Sequence, residues 1–225
     1  VDIQALTTSQ VANWDSRQLQ ALQTQQVQAL LTQQVAALPT ASVKALSTGQ
    51  VQALTTAQVA GLNSAQLAAL TTAQVSSLQT QQILALETAD LVGLSSAQLQ
   101  ALSTDKIALW NAAQIGGLTS AQVRSLLTQQ VAGLTTAQIV ALNSAQVMAL
   151  TSGQLSAMRT DQIASLETRD LNVLSGSQIA SLRTDQLVAL GTQQAAALNS
   201  GQIRALSTLQ VQAIEDGDLA VLSSA

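Results

Sequence analysis

The sequence contains no cysteine, histidine, tyrosine or phenylalanine among its 225 residues. Without cysteine, the chain forms no disulfide and no thiolate metal site. Without histidine, it lacks the commonest general base and the Ser–His and Cys–His nucleophile pairs that depend on it. We therefore expect a protein that is not an enzyme and that binds no cofactor.

Charged side chains are also scarce, at 9% of residues, and 8 basic against 12 acidic groups give a net charge of −4. The basic residues occur singly, so no cationic stripe is available to neutralise phosphates, and we expect no nucleic-acid partner. Mean hydropathy is +0.28, yet Thr and Gln interrupt the apolar residues throughout the chain. No apolar run approaches the ~20 residues that span a bilayer, so we expect no membrane span.

What the sequence does contain is one octapeptide, repeated 27 times without insertion or deletion over residues 7–222. Thr55–Leu62, which reads TTAQVAGL, illustrates the unit, and its positions are numbered 1 to 8 from Thr55. Partial copies stand at both ends. Because a short, strict period is typical of a repeat array, we predict a single solenoid domain over residues 1–225. Neither end resembles a polar cap, which predicts a fragment of a longer array.

The eight positions differ in how much variation they accept. Position 5 is Val, Ile or Leu in every copy but one, and position 8 is Leu in all but four. Position 2 is Ser or Thr in 24 of the 27 copies and position 4 is Gln in 22, whereas positions 3 and 6 vary freely. We predict that positions 5 and 8 form the core, that positions 3 and 6 face outward, and that the glutamine is buried against backbone groups.

The eight-residue period excludes the two simplest folds. In one continuous helix the apolar stripe would rotate by about 80° per copy. In a strand, positions 5 and 8 would point to opposite faces, although a β-solenoid is kept as an alternative. Positions 5 and 8 share one face of a short helix. We therefore predict an all-α fold, an α-solenoid of very short helices, one per repeat, stacked around a continuous Val/Leu core.

Two registers of this short helix fit the unit. Ser or Thr at position 2 is a good N-cap for a helix over positions 3 to 8. In the rival register, position 1 is the N-cap, and Thr55 and Gln58 form a capping box. Position 1 includes Leu31 and Pro39, so we prefer the first register. It predicts that Ala112, which lacks the cap, and Ala195, which underfills the core, are the weakest points.

Three repeats place a glutamate three residues before an aspartate. Carboxylates so spaced face each other at a helix start, and oxygen ligands suit Ca²⁺. Two or three carboxylates are fewer than the six to eight oxygens that Ca²⁺ takes, and acidic residues are favoured at helix N-termini. We therefore predict no metal site, and keep these pairs only as weak candidates: Glu87 and Asp90, Glu167 and Asp170, Glu215 and Asp218.

Phrases such as Leu54–Leu62 (LTTAQVAGL) and Leu134–Leu142 (LTTAQIVAL) run through the whole chain. They resemble octapeptide-repeat tracts of large bacterial surface proteins of the adhesin-like or haem-utilisation-like kind. The resemblance implies a secreted or cell-surface location; it implies no haem site here, because the usual haem ligands are missing. The LTxxQV start also resembles repeats of transcription activator-like effectors, but their period is several times longer and their basic DNA-facing surface is absent.

These observations favour a structural role: a rigid spacer or stalk whose partners are neighbouring repeats and domains of a longer parent protein. One alternative is a binding module that recognises a glycan, a protein or ice through regular rows of outward side chains. A designed repeat protein is another alternative.

Overall fold

The computed structural model describes residues 3–214, and in it every complete octapeptide but one forms a short α-helix. The exception, residues 87–94, forms a 3-10 helix at Leu91–Gly93, and a second 3-10 helix is Ile3–Ala5. No strand occurs within residues 3–214. The all-α fold is confirmed, and the β-solenoid alternative is wrong. The α-helices, α1 to α25, are Thr8–Ala12, Ser16–Gln20, Thr24–Ala29, Thr32–Ala36, Thr40–Ala45, Thr48–Ala53, Thr56–Ala60, Ser64–Ala69, Thr72–Ser77, Thr80–Leu84, Ser96–Ala101, Thr104–Ala108, Ala112–Gly116, Ser120–Ser125, Thr128–Ala132, Thr136–Val140, Ser144–Ala149, Ser152–Ala157, Thr160–Ala164, Thr168–Asn172, Gly176–Ala180, Thr184–Val188, Thr192–Ala196, Ser200–Ala205 and Thr208–Ala213.

Each α-helix begins at position 2 with position 1 as its N-cap, so the register that we preferred is wrong by one residue. Thr55 Oγ1 accepts the Gln58 backbone N–H at 3.2 Å, and Gln58 Oε1 accepts the Thr55 backbone N–H at 2.7 Å. This is the capping box of the rival register. Its glutamine half needs only a backbone N–H at position 1. Leu31, which has no capping side chain, therefore still donates its N–H to Gln34 Oε1, at 2.7 Å.

The corrected register also removes the weakness predicted at Ala112. The cap of this helix is the preceding residue, Asn111, whose Oδ1 accepts the Gln114 backbone N–H at 2.9 Å. Ala112 is the first helical residue rather than the cap. The prediction for Ala112 is therefore wrong.

Position 8 ends each octapeptide and turns the chain toward the next helix. Leu54, for example, is extended at φ −58° and ψ 135°, and its N–H bonds the Val51 carbonyl. Among residues 3–214 no residue has a positive φ, glycine included. Two successive extended residues, at positions 8 and 1, therefore make the link without any left-handed backbone.

The chain is divided into two compact units, Val1–Leu118 and Thr119–Ala225, and each is a stack of turns. In the first unit, α2 packs on α5 and α5 packs on α8; in the second, α15 packs on α18 and α21 packs on α24. Hydrogen bonds between successive turns join residues 25 to 31 positions apart. One turn therefore takes between three and four octapeptides, a number that the sequence left open.

The core consists of positions 5 and 8, as predicted. Position 5 is buried in every repeat from Val11 to Ala195, and position 8 in every repeat from Leu30 to Leu198. Ala195 is 5% exposed in a place where other repeats bury Val, Ile or Leu. The prediction that it underfills the core stays a prediction.

Position 7 is small because successive turns approach each other there. A Cβ on Gly93 would come within 2.8 Å of the Ser64 carbonyl carbon, 29 residues earlier. Gly61 likewise faces the Thr32 side chain, so position 7 packs on position 2 of the turn before. The side chain at position 2 therefore contributes to packing between turns, and the predicted capping role belongs to position 1.

Candidate functional site

The most regular polar feature of the molecule is a joint between turns, made by the glutamine at position 4. The Gln58 side chain is 1% exposed, and its Nε2 donates to the carbonyl oxygens of Val27, Gln28 and Leu30 at 3.0, 3.3 and 2.6 Å. These carbonyls close a helix whose last C=O groups have no partner inside it. One buried side chain thus caps its own helix with Oε1 and the end of an earlier helix with Nε2. We call this arrangement the glutamine joint.

The glutamine joint recurs in both units. In each case Nε2 donates to the position-8 carbonyl 28 residues earlier, and the prediction of a buried, bridging glutamine is confirmed. Gln10, Gln18 and Gln26, in the first three complete repeats, are exposed. Examples of the joint are those of Gln34, Gln50, Gln58, Gln66, Gln74, Gln82, Gln98 and Gln114 in the first unit, and of Gln154, Gln162, Gln178, Gln186, Gln194, Gln202 and Gln210 in the second.

In one repeat both residues of the capping box, at positions 1 and 4, are replaced. Pro39 stands at position 1 and has no N–H to donate, and the same repeat has Ser42 in place of glutamine. Ser42 is 2% exposed, and its Oγ donates to the Trp14 carbonyl, 28 residues earlier, at 2.9 Å. The serine therefore keeps the bond to the earlier turn and gives up the one that proline cannot make.

Two other substitutions at position 4 change the bonding partner. Lys106 Nζ donates to the Ser76 carbonyl, at position 6 of an earlier repeat. Asp170 is 1% exposed, and its Oδ1 accepts the Ser144 hydroxyl at 2.6 Å. A carboxylate cannot donate to carbonyls as an amide does. Asp170 therefore bonds a side-chain hydroxyl of the earlier turn instead.

Cationic side chains at position 1 reinforce the joint in two repeats of the second unit. The Arg159 guanidinium donates to the carbonyls of Ala132 and Leu134, the latter at 3.3 Å, and forms two bonds with Asp161 at 3.0 and 3.1 Å. The side-chain hydrogen bond from Arg159 lowers the pKa of Asp161 from its ordinary value of 3.8, and the positive charge of Arg159 adds to the effect.

Arg183 repeats this arrangement. Its guanidinium donates to the carbonyls of Ser156 and Met158 and pairs with Asp185. The bond from Arg183 lowers the pKa of Asp185 as well. Both groups occur in the phrase Arg-Thr-Asp, at 159–161 and 183–185. The sequence analysis missed these clusters, although the in-phase recurrence of the phrase is a signal for them.

The acidic pairs do not form a compact cluster in the described residues. Glu87 is exposed and Asp90 is half-buried. In the second pair, Glu167 Oε2 lies 2.7 Å from Arg169 Nε, and Asp170 is buried against Ser144. Within residues 3–214, no three Asp or Glu side chains come together as a metal site.

The third acidic pair, Glu215 and Asp218, lies outside the described residues. The prediction of no metal site stays a prediction.

A surface groove of about 620 Å³ lies between turns of the second unit. Its walls are the end of α19, at Ala164 and Leu166, the side chain of Glu167, and the start of α23, at Gly191 and Gln194. Gly191 is the only glycine at position 1, so no side chain fills the space beside its Cα.

None of the helices between residues 3 and 214 has the length and apolar character required to span a membrane. The longest of them have six residues.

Comparison with known families gives one result. The family model described as ALTTAQ repeat matches six segments, at residues 32–64, 51–80, 83–120, 113–144, 128–168 and 163–200. These segments cover more than half of the chain, and they contain most of the glutamine joints. No curated protein sequence matches the chain. The chain belongs to the ALTTAQ repeat family.

Proposed function

We propose that this chain is a rigid spacer in a secreted or cell-surface bacterial protein of the adhesin-like kind, with no catalytic activity. The spacer works through its length, and its partners are the neighbouring repeats and domains of a longer parent protein. The family match and the helical stack support a structural region built of tandem repeats.

The observation that supports a rigid spacer is the glutamine joint. Each joint places an amide between two turns, and this amide is buried in every joint named above except that of the half-buried Gln194. A buried donor that loses its acceptor costs about 1 to 3 kcal/mol. Bending a unit at one joint separates Nε2 from as many as three carbonyls at once. Because the joint recurs through each unit, resistance to bending is distributed over the array instead of being concentrated at one contact.

The outward positions also support this proposal over recognition of a regular ligand. Position 6 carries Val140 and Met148 in adjacent repeats of the second unit, but Arg124 and Asn172 in others. A repeated ligand requires a repeated surface, and these rows are not uniform. A spacer places no such demand on its outward residues.

The experiment compares two deletions in the full chain. Removing residues 127–150 deletes three octapeptides in phase, and removing residues 127–153 deletes nearly the same length but breaks the phase. For a spacer, the in-phase deletion preserves the circular dichroism per residue and shortens the maximum dimension in small-angle scattering. The out-of-phase deletion lowers the melting temperature, because joints and core positions no longer align.

An in-phase deletion that leaves the maximum dimension unchanged would rule out a spacer. The coding sequence that flanks this chain provides an independent test: a secretion signal and a terminal adhesion domain are expected. A cytoplasmic enzyme in the same reading frame would contradict the proposal.

A second candidate function is a binding module, and the groove beside Gly191 favours it over a featureless spacer. A ligand that raises the melting temperature by several degrees, with the rise lost when groove residues are changed, would support this candidate.

A further inference from the structure

The carbonyl groups at positions 6 and 8 repeatedly accept hydrogen bonds from cations. In the second unit, Arg159 and Arg183 donate to this carbonyl pair. Each arginine stands at position 1, four octapeptides after the repeat whose carbonyls it binds. In the first unit, Lys106 donates to a position-6 carbonyl, that of Ser76. Such carbonyls lie at a helix C-terminus, where the helix dipole favours positive charge.

The groove beside Gly191 contains the same carbonyl pair without a cation. Ala164 and Leu166 stand at positions 6 and 8, and Gln194 Nε2 donates to their carbonyls at 3.1 and 2.6 Å. Around Arg159, Gln162 makes the equivalent bonds to Ala132 and Leu134, at 3.3 and 2.6 Å, and the guanidinium binds the same oxygens in addition. A carbonyl oxygen has two lone pairs, so the glutamine does not exhaust it.

Because Gly191 has no side chain, the space that corresponds to the one filled by the Arg159 guanidinium is open. The nearest atom to a Cβ built on Gly191 is Gln194 Oε1, at 3.9 Å. Glu167, the residue after Leu166, lines the same groove and is the only charged side chain that does so. Arg169 Nε contacts Oε2 of the Glu167 carboxylate. The carboxylate therefore has a second oxygen with which to pair a cation.

We propose that this groove binds a guanidinium group, the side chain of an arginine presented by another polypeptide. The carbonyls of Ala164 and Leu166 accept its N–H groups, and Glu167, from the wall of the earlier turn, supplies the carboxylate that Asp161 supplies to Arg159. This site goes beyond the spacer function and does not depend on it.

The test uses N-acetyl-L-arginine amide as the probe and the neutral isostere N-acetyl-L-citrulline amide as its control, titrated into the full chain. NMR is expected to show shifts of the Gly191 backbone amide and the Gln194 side-chain amide. The arginine probe should bind about tenfold more tightly than citrulline, because charge-assisted bonds replace neutral ones.

Three variants define the site. Gly191→Arg combined with Gln193→Asp copies the Arg159 group into the groove, and it should abolish binding of the probe while raising the melting temperature. Glu167→Gln should weaken binding severalfold. Gly49→Arg, at an open position of the other unit, is the matched control and should leave binding unchanged.

Circular dichroism of each variant separates loss of the site from loss of the fold. Equal binding of arginine and citrulline, or unchanged arginine binding in the variant that combines Gly191→Arg with Gln193→Asp, would overturn the proposal. Sedimentation distinguishes the two sources of arginine. Concentration-dependent association that the same double variant removes identifies a second copy of this chain, and a monomer that still binds the probe identifies a different polypeptide.

Discussion

Pro39 and Ser42 stand three residues apart, at the two places where other repeats have an N–H and the glutamine that accepts from it. Proline removes the donor, and serine removes the acceptor that would be left buried without it. Ser42 retains the bond to the earlier turn, at the Trp14 carbonyl. The two replacements therefore compensate each other: the repeat loses a donor and its acceptor together.

A double-mutant cycle at these residues should be strongly non-additive. Pro39→Thr adds an N–H without its usual acceptor, and Ser42→Gln adds an acceptor without its donor, whereas the double variant completes a capping box. We expect a favourable coupling energy of about 1 to 2 kcal/mol in urea unfolding. Pro39→Thr paired with Ala41→Gln, at an exposed position, is the control and should be additive. Additivity in both cycles would show that residues 39 and 42 are not coupled.

Replacing a joint glutamine should destabilise the chain although the new side chain is apolar. Gln58→Leu leaves the carbonyls of Val27, Gln28 and Leu30 without their donor, and we expect a loss of about 1 to 3 kcal/mol in the free energy of unfolding. Gln33→Leu, at an exposed position 3, should change it by less than about 0.5 kcal/mol. Equal effects of the two changes would mean that the joint contributes nothing.

Adding a cap at position 1 should stabilise the chain, and adding one at position 2 should not. Leu127 supplies no side-chain cap to its helix. Leu127→Thr should therefore raise the free energy of unfolding by about 1 kcal/mol. Ala112→Ser should have little effect, because Asn111 already caps that helix. Thermal unfolding measures both variants. A larger stabilisation by Ala112→Ser than by Leu127→Thr would support the register with the N-cap at position 2, which the structure contradicts.

Two glycines should respond in opposite directions to the same change. Gly93→Ala places a methyl group against the Ser64 backbone, and overpacking of this kind costs about 1 to 3 kcal/mol. Gly49 lies in a helix with open space around it, so Gly49→Ala should stabilise the chain by up to about 1 kcal/mol. Thermal unfolding of the two variants tests whether position 7 is small for reasons of packing.

The Arg159–Asp161 pair should make stability fall at acid pH. Because the pKa of Asp161 is lowered in the folded chain, its contribution is present above the ordinary value of 3.8 and is lost as pH falls through the folded value. An NMR titration of the Asp161 carboxyl carbon should show this lowered pKa. Arg159→Gln should return it toward the ordinary value, and no change in that variant would contradict the assigned cause.

The sequence predicts the class of fold and the core because both depend on columns that hardly vary. The buried glutamine is predicted for the same reason. The register cannot be predicted from position 1 side chains such as Leu31, because the cap depends on a backbone N–H and on a glutamine three residues later.

The length of a turn and the groove beside Gly191 could not be predicted. Both depend on contacts between residues 25 to 31 positions apart, and an eight-residue pattern carries no information about which copies meet.

The direction of the glutamine joint has a consequence for how the chain folds. The amide donor always belongs to the later repeat and the carbonyl acceptors to the earlier one, as in Gln58 and Leu30. A polypeptide leaves the ribosome N-terminus first, so each new turn meets acceptors that are already in place. Such an array can grow turn by turn during synthesis, and contacts only about one turn apart in sequence keep the entropy of closing each loop small. Whichever turn of an array forms before its neighbours has no such template, so its formation is the nucleating step.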